Sequence, residues 1–166
     1  MKKALYYFLF IFILFLLQVS GVKVFSHAVY AIPQLMLLFV IIFALSNSFT
    51  STLWVSFGAG FLLEWFSGAY FGSQIFAMVA SALLAYFLTR NITARDISIP
   101  TAVFLVLLTT LLYGFWIYIY NLTADGLNLA QSIPFRSVFS WNLLWTCIVN
   151  LIFFWPISFF YRLLPE

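Results

Sequence analysis

Residues 54–72 read Trp54-Val-Ser-Phe-Gly-Ala-Gly-Phe-Leu-Leu-Glu64-Trp-Phe-Ser-Gly-Ala-Tyr-Phe-Gly72. The stretch sets Glu64, one of four acidic residues in the chain, at the end of an apolar run. Small residues Ser56, Gly58, Ala59 and Gly60 precede it, and a Ser67-Gly68…Gly72 turn follows. A carboxylate at the centre of a membrane helix costs about 2.5–3.5 kcal/mol on insertion scales, and less near the interface. Glu64 therefore needs a partner or a use.

The surroundings of that run define the class of protein. Of 166 residues, 66% are hydrophobic and 7% charged, and the mean hydropathy is +1.13. A soluble domain carries about 25% charged residues. Too little polar surface exists to cover a water-exposed globule, so the composition gives an all-α integral membrane protein. Its 22 phenylalanines suit lipid-facing and interfacial positions. No basic run is present to follow a phosphate backbone, which leaves no nucleic-acid partner. The single cysteine, Cys147, lies in an apolar run and reads as a packing residue.

Outward from the opening stretch, the apolar runs predict six transmembrane helices. They cover about residues 4–21, 32–47, 51–66, 73–90, 99–121 and 137–161 of a single membrane domain spanning 1–166. The first follows Met1-Lys2-Lys3 and is longer than a signal-peptide core, with no cleavage site after it, so it is expected to be retained. Pro33 suits the first turn of the second helix. The segments 21–31 and 121–136 read as polar loops, the first holding Lys23 and His27, the second Asp125 and Arg136. With both termini cytoplasmic, Lys2, Lys3, Arg90, Arg95 and Arg162 lie inside and Lys23 and Arg136 outside, as the positive-inside rule requires. Glu64 then falls at the outer end of the third helix.

At that end Glu64 has two readings: a boundary residue reaching the headgroups, or an acceptor facing protein. Gln74 is the nearest donor, with Lys23 and Arg136 on the same side. Ser56 and Gly60 share one helical face, and Ala77, Ser81 and Ala85 form a small-residue stripe along the fourth helix. Such faces let backbones approach closely, either within the bundle or against a partner's helix. Asn142 and Asn150 on the sixth helix are expected to hydrogen-bond to neighbouring helices. His27 has no companion ligands, so no metal or cofactor is expected. The sequence has no Ser/His pair, no paired aspartates and no His-Glu-x-x-His motif, and an enzyme is not expected.

The chain resembles the rod-shape-determining MreD family of bacterial inner-membrane proteins. The resemblance rests on Ile32-Pro33-Gln34-Leu35-Met-Leu-Leu, on Gly60-Phe-Leu-Leu-Glu64-Trp-Phe-Ser67-Gly68-Ala-Tyr-Phe71-Gly72, and on the apolar helix ending in Ala85-Tyr86. The family pattern is Pro-Asp/Asn-Leu, then Gly-x-x-x-Asp-x-x-Ser-Gly-x-x-x-Gly. Here Gln34 and Glu64 replace its usual acids or amide. The match covers about residues 32–86.

The resemblance implies a compact six-helix bundle similar to the substrate-capture S components of energy-coupling-factor transporters. It also implies a non-enzymatic scaffold of the cell-wall elongation (Rod) complex in the cytoplasmic membrane. Such a scaffold binds the transmembrane helix of MreC. Through it the scaffold acts with MreB, RodA and a class B penicillin-binding protein in lateral peptidoglycan synthesis. Candidate structural or partner-binding residues are Glu64, Gln74, Ser56, Gly60, Ser67, Gly68, Gly72, Ala77, Ser81 and Ala85. The alternative is a vitamin-capturing S component, in which Glu64, Gln74 and Asp125 would face an outward cavity.

Overall fold

The structure is a computed structural model and describes residues 2–25, 33–67, 71–92, 99–127 and 141–163. Six α-helices make up the described residues: α1 (Lys2–Phe25), α2 (Leu35–Ser46), α3 (Phe49–Ser67), α4 (Ser73–Ile92), α5 (Ile99–Gly126) and α6 (Trp141–Arg162). Three of them, α4, α5 and α6, are long and apolar enough to cross a membrane. Every element among the described residues is helical, and a helix is the only spanning form besides a closed barrel that satisfies its own backbone in lipid.

Helix α2 is the centre. It touches all five other helices, and every residue from Leu35 to Ala44 is buried. A helix apolar on all sides has no solvent face, and burial on all sides is the packing that follows. Its 12 residues extend about 18 Å at 1.5 Å per residue, well short of a 30 Å hydrocarbon core. Both of its ends therefore need partners from within the bundle. At the C-terminal end the Asn47 side-chain amide donates to the Phe43 carbonyl at 3.0 Å and to the Tyr161 hydroxyl at 2.8 Å. Arg90, lying over the Tyr86 ring, donates to the Asn47 carbonyl at 3.3 Å. Tyr161 also meets Phe39 and Phe43 ring to ring.

Helices α3 and α4 form the closest pair, and the small residues explain it. A Cβ added at Gly60 would stand 2.7 Å from the Ile75 Cα and 3.1 Å from the Gln74 carbonyl oxygen. Ser56, Ala77, Ser81 and Ala85 are fully buried. The two faces seen in the sequence thus close against other helices of this chain.

Several boundaries differ from the sequence expectation. Lys23, expected in a loop, falls within α1, which continues to Phe25. Helix α5 runs through Asn121 to Gly126, where a loop was expected, and so carries Asp125. The Asn121 side-chain amide donates to the Ile117 carbonyl at 2.7 Å and keeps its polarity inside that extension. Helix α2 begins at Leu35 rather than Ile32, because Pro33 and Gln34 form its entry. His27, Arg95, Asp96 and Arg136 lie outside the described residues.

Since the atom nearest a Cβ at position 60 is backbone, neither partner can move aside. We expect Gly60→Val to lower the unfolding free energy by about 1–3 kcal/mol. Unfolding of purified protein in detergent micelles, followed by far-UV circular dichroism, measures this directly.

Candidate functional site

Helix α4 starts on Gly72, whose carbonyl accepts the first helical bond, from the Phe76 amide at 2.9 Å. Gly72 has φ +98°, a conformation that disfavours residues with a Cβ. An added Cβ there would also meet the Tyr120 hydroxyl at 2.6 Å. That hydroxyl donates to the Phe71 carbonyl at 2.7 Å, binding the turn to α5. A glycine in this position has no side chain with which to cap the helix it begins. Ordinarily a side-chain oxygen at this position accepts from the amides two and three residues on.

Glu64 supplies that oxygen from the preceding helix. Its Oε2 accepts from the Gln74 amide at 2.8 Å and the Ile75 amide at 3.2 Å. Its Oε1 takes a longer bond from the Ser73 hydroxyl at 3.4 Å. Glu64 is 6% exposed, so it faces protein and is not a boundary residue among headgroups. A carboxylate at a helix N-terminus also meets the positive end of the macrodipole. Of the two sequence readings, the protein-facing one describes this residue.

Gln74 is a donor, as expected, through its main chain rather than its side chain. Gln74 gives its backbone N–H to Glu64, while its side-chain Oε1 accepts from the Tyr113 hydroxyl. The side chain of Lys23 and the whole of Arg136 lie outside the described residues.

A second helix start is built in the same way. The α2 N-cap, Gln34, makes no capping bond with its own side chain. Asn150 on α6 instead accepts from the Gln34 amide at 2.8 Å, and Gln18 on α1 accepts from the Met36 amide at 2.9 Å. The Asn150 side-chain amide donates on to Gln34 Oε1 at 3.3 Å and to the Thr110 hydroxyl at 3.0 Å. Asn150 was expected to bond across to a neighbour, and it does so with two. Asn142, given the same expectation, is exposed on α6, and its backbone carbonyl accepts from Thr146 at 2.9 Å. Gln18 escaped notice in the sequence, where its signal was a lone amide within an apolar run.

The candidate residues thus divide. Glu64, Gln74 and Gly72 meet at one corner, and Gly60 lies one turn before Glu64 against the same segment of α4. Ser56 bonds back to the Leu53 carbonyl at 3.0 Å, and Ala77 and Ala85 pack by size. The Ser81 hydroxyl is buried with no partner among the described residues. Ser67 closes α3, its side chain outside the description, and Gly68 lies outside the described residues altogether. Asp125 is at the far end of α5, half-buried. No group of three or more metal-ligating side chains occurs among the described residues.

Beside the corner lies an open cleft of about 470 Å³, lined by Phe61, Glu64, Trp65 and Phe71. It continues into an outward aromatic row on α3, in which Trp54, Phe57, Phe61 and Trp65 contact one another in turn at 5.8–6.5 Å between centroids. Gly58 sits within that row, exposed and with open space where a Cβ would stand. No protein-family model, curated protein or solved structure matches the chain.

Removing an acceptor shared by two helix-end amides leaves both without a partner in apolar surroundings. Glu64→Ala should lower stability by about 1–3 kcal/mol. Glu64→Gln, whose amide oxygen can still accept, should retain most of that. Denaturant unfolding of the two variants in the same micelle gives the comparison.

Proposed function

We propose that the chain is a non-enzymatic, multi-pass scaffold of the MreD type, residing in the bacterial cytoplasmic membrane with both termini inside. In this reading all six helices cross or enter the bilayer. The bundle docks the transmembrane helix of MreC and holds its periplasmic part near the elongation synthase, RodA with a class B penicillin-binding protein. MreB stands in the same assembly on the cytoplasmic side.

The observation that supports this most is the use made of the polar side chains. Glu64, Gln18 and Asn150 cap helix starts, and Gln74 is engaged by Tyr113. Groups held in that way fix the angles between helices and so give a rigid outer surface. Rigid packing with small residues at points of close approach is how helices associate in lipid, where no hydrophobic force drives them together. The buried stripes of α3 and α4 are already filled by this chain. Gly58, exposed on α3 and flanked by Phe57 and Phe61, is the position where a partner helix can come closest.

The transporter reading requires Glu64, Gln74 and Asp125 to converge on an outward cavity. Engagement of Glu64 with the α4 amides and of Gln74 with Tyr113 weighs against it.

Affinity purification of the tagged chain from its native membrane in mild detergent tests the proposal. MreC is expected to co-purify, and Gly58→Leu is expected to reduce its recovery about tenfold, the equivalent of ~1.4 kcal/mol. Recovery of a transporter energising module or a bound vitamin would overturn the scaffold reading.

A further inference from the structure

The charges of the described residues are divided between the two ends of the bundle. Glu64 lies at one end, where Tyr113 and Tyr120 of α5 reach the start of α4, and Asp125 follows later in α5. Arg90 and Arg162 lie at the other end, in the last turns of α4 and α6. Between Phe49, which opens α3, and Glu64 the helix rises about 22 Å. That is more than twice the screening length of about 8 Å in physiological salt. Neither of these two carboxylates is near enough to pair with an arginine.

The arginine end is organised around Asn47. Its side-chain amide donates to the Tyr161 hydroxyl at 2.8 Å, and its carbonyl accepts from Arg90 Nη2 at 3.3 Å. Arg162 follows Tyr161 directly, and Ser48 follows Asn47. One residue thus brings together the ends of α2, α4 and α6 and the start of α3. Tyr7 of α1 comes to the same place, 6.1 Å from the Tyr161 ring.

Arg90 is exposed but held. Its Cζ lies 5.3 Å from the centroid of the Tyr86 ring, and the Asn47 carbonyl engages one of its amino groups. Four of a guanidinium's five N–H groups then stay open. A planar fork already fixed in this way loses little freedom on binding, and it matches phosphate oxygens in pairs. Arg162, Ser48 and Ser51 are exposed as well, with the two serine hydroxyls 3.0 Å apart.

Apolar surface adjoins these groups. Phe49, Tyr86 and Phe87 meet ring to ring with centroids 5.7–6.0 Å apart, and Phe49 and Phe87 are 40% and 53% exposed. Phe159 and Phe160, just before Tyr161, are exposed too. None of these rings belongs to the α3 row through Gly58. A free phosphate would meet only the charges. A phosphate carrying acyl chains would cover the charges and the rings.

We propose that the Asn47 corner, through Arg90 and Arg162, binds the phosphate of an anionic phospholipid headgroup, with acyl chains against Phe49 and Phe87. The proposal rests on the bundle crossing a bilayer, and on neither the MreC partnership nor which end is cytoplasmic.

Native mass spectrometry of the purified full chain in a non-ionic detergent tests it, with added phosphatidylglycerol or phosphatidylcholine. Phosphatidylglycerol should be retained about five- to twentyfold more than phosphatidylcholine, whose phosphate is balanced by its own ammonium group. Arg90→Gln and Arg162→Gln should each reduce that preference about fivefold or abolish it. Arg162→Gln carries the test if Arg90→Gln does not fold. Lys23→Gln, in the last turn of α1 at the opposite end, should leave the preference intact. Equal retention of the two lipids, or a preference unchanged in Arg162→Gln, would overturn the proposal. So would an equal loss in Lys23→Gln, which would mean diffuse attraction without a site. Competition by glycerol phosphate at the concentration at which the lipid binds would overturn it too, since a soluble phosphate would then suffice.

Discussion

The contact from the Glu64 carboxylate to the Gln74 and Ile75 amides is the one on which the α3–α4 corner depends. A helix leaves its first four N–H groups without internal partners, and in apolar surroundings water does not supply them. Gly72 is fixed at the N-cap by its positive φ and by the Tyr120 hydroxyl against it, so the cap must come from elsewhere. The carboxylate supplies acceptors to a helix start whose N-cap has no side chain of its own.

The same logic, with neutral amides, organises the centre of the bundle. Helix α2 is buried from Leu35 to Ala44, and its starting amides at Gln34 and Met36 are served by α6 and α1. Because Asn150 and Tyr161 on α6 hold opposite ends of α2, the two helices are fixed in register as well as in contact. Thr110 extends the network to α5. Polar side chains that would be liabilities facing lipid here determine which helices adjoin. The outer surface is left to aromatic and aliphatic groups and to the open position at Gly58.

Much of this was legible in the sequence, and the remainder was hidden for physical reasons. Composition alone fixes a helical membrane-compatible chain. Glu64 stood out because charge is so scarce, and Gln74 was legible as its nearest donor. The bonds come from the main-chain amides of Gln74 and Ile75, because α4 begins only after Gly72. Asn150 was recognisable as a bonding residue, but its partner at position 34 lies 116 residues away, and pairing at that range leaves no local signal. The inward faces of α3 and α4 could not be assigned from periodicity, since helices apolar on most sides carry no strong stripe. The ends of α1 and α5 were misplaced because a polar residue such as Asn121 can remain helical by bonding back to its own backbone.

The claim that helices α2 and α4 are started by side chains from other helices is tested most directly by amide hydrogen exchange in detergent micelles. The account predicts slow exchange at Met36, Gln74 and Ile75 in the unaltered chain. In Glu64→Ala it predicts faster exchange at Gln74 and Ile75 by about ten- to a hundredfold, corresponding to ~1.4–2.8 kcal/mol of lost protection, with Met36 unchanged. Fast exchange of Gln74 and Ile75 in the unaltered chain, or rates indifferent to the loss of the carboxylate, would contradict it.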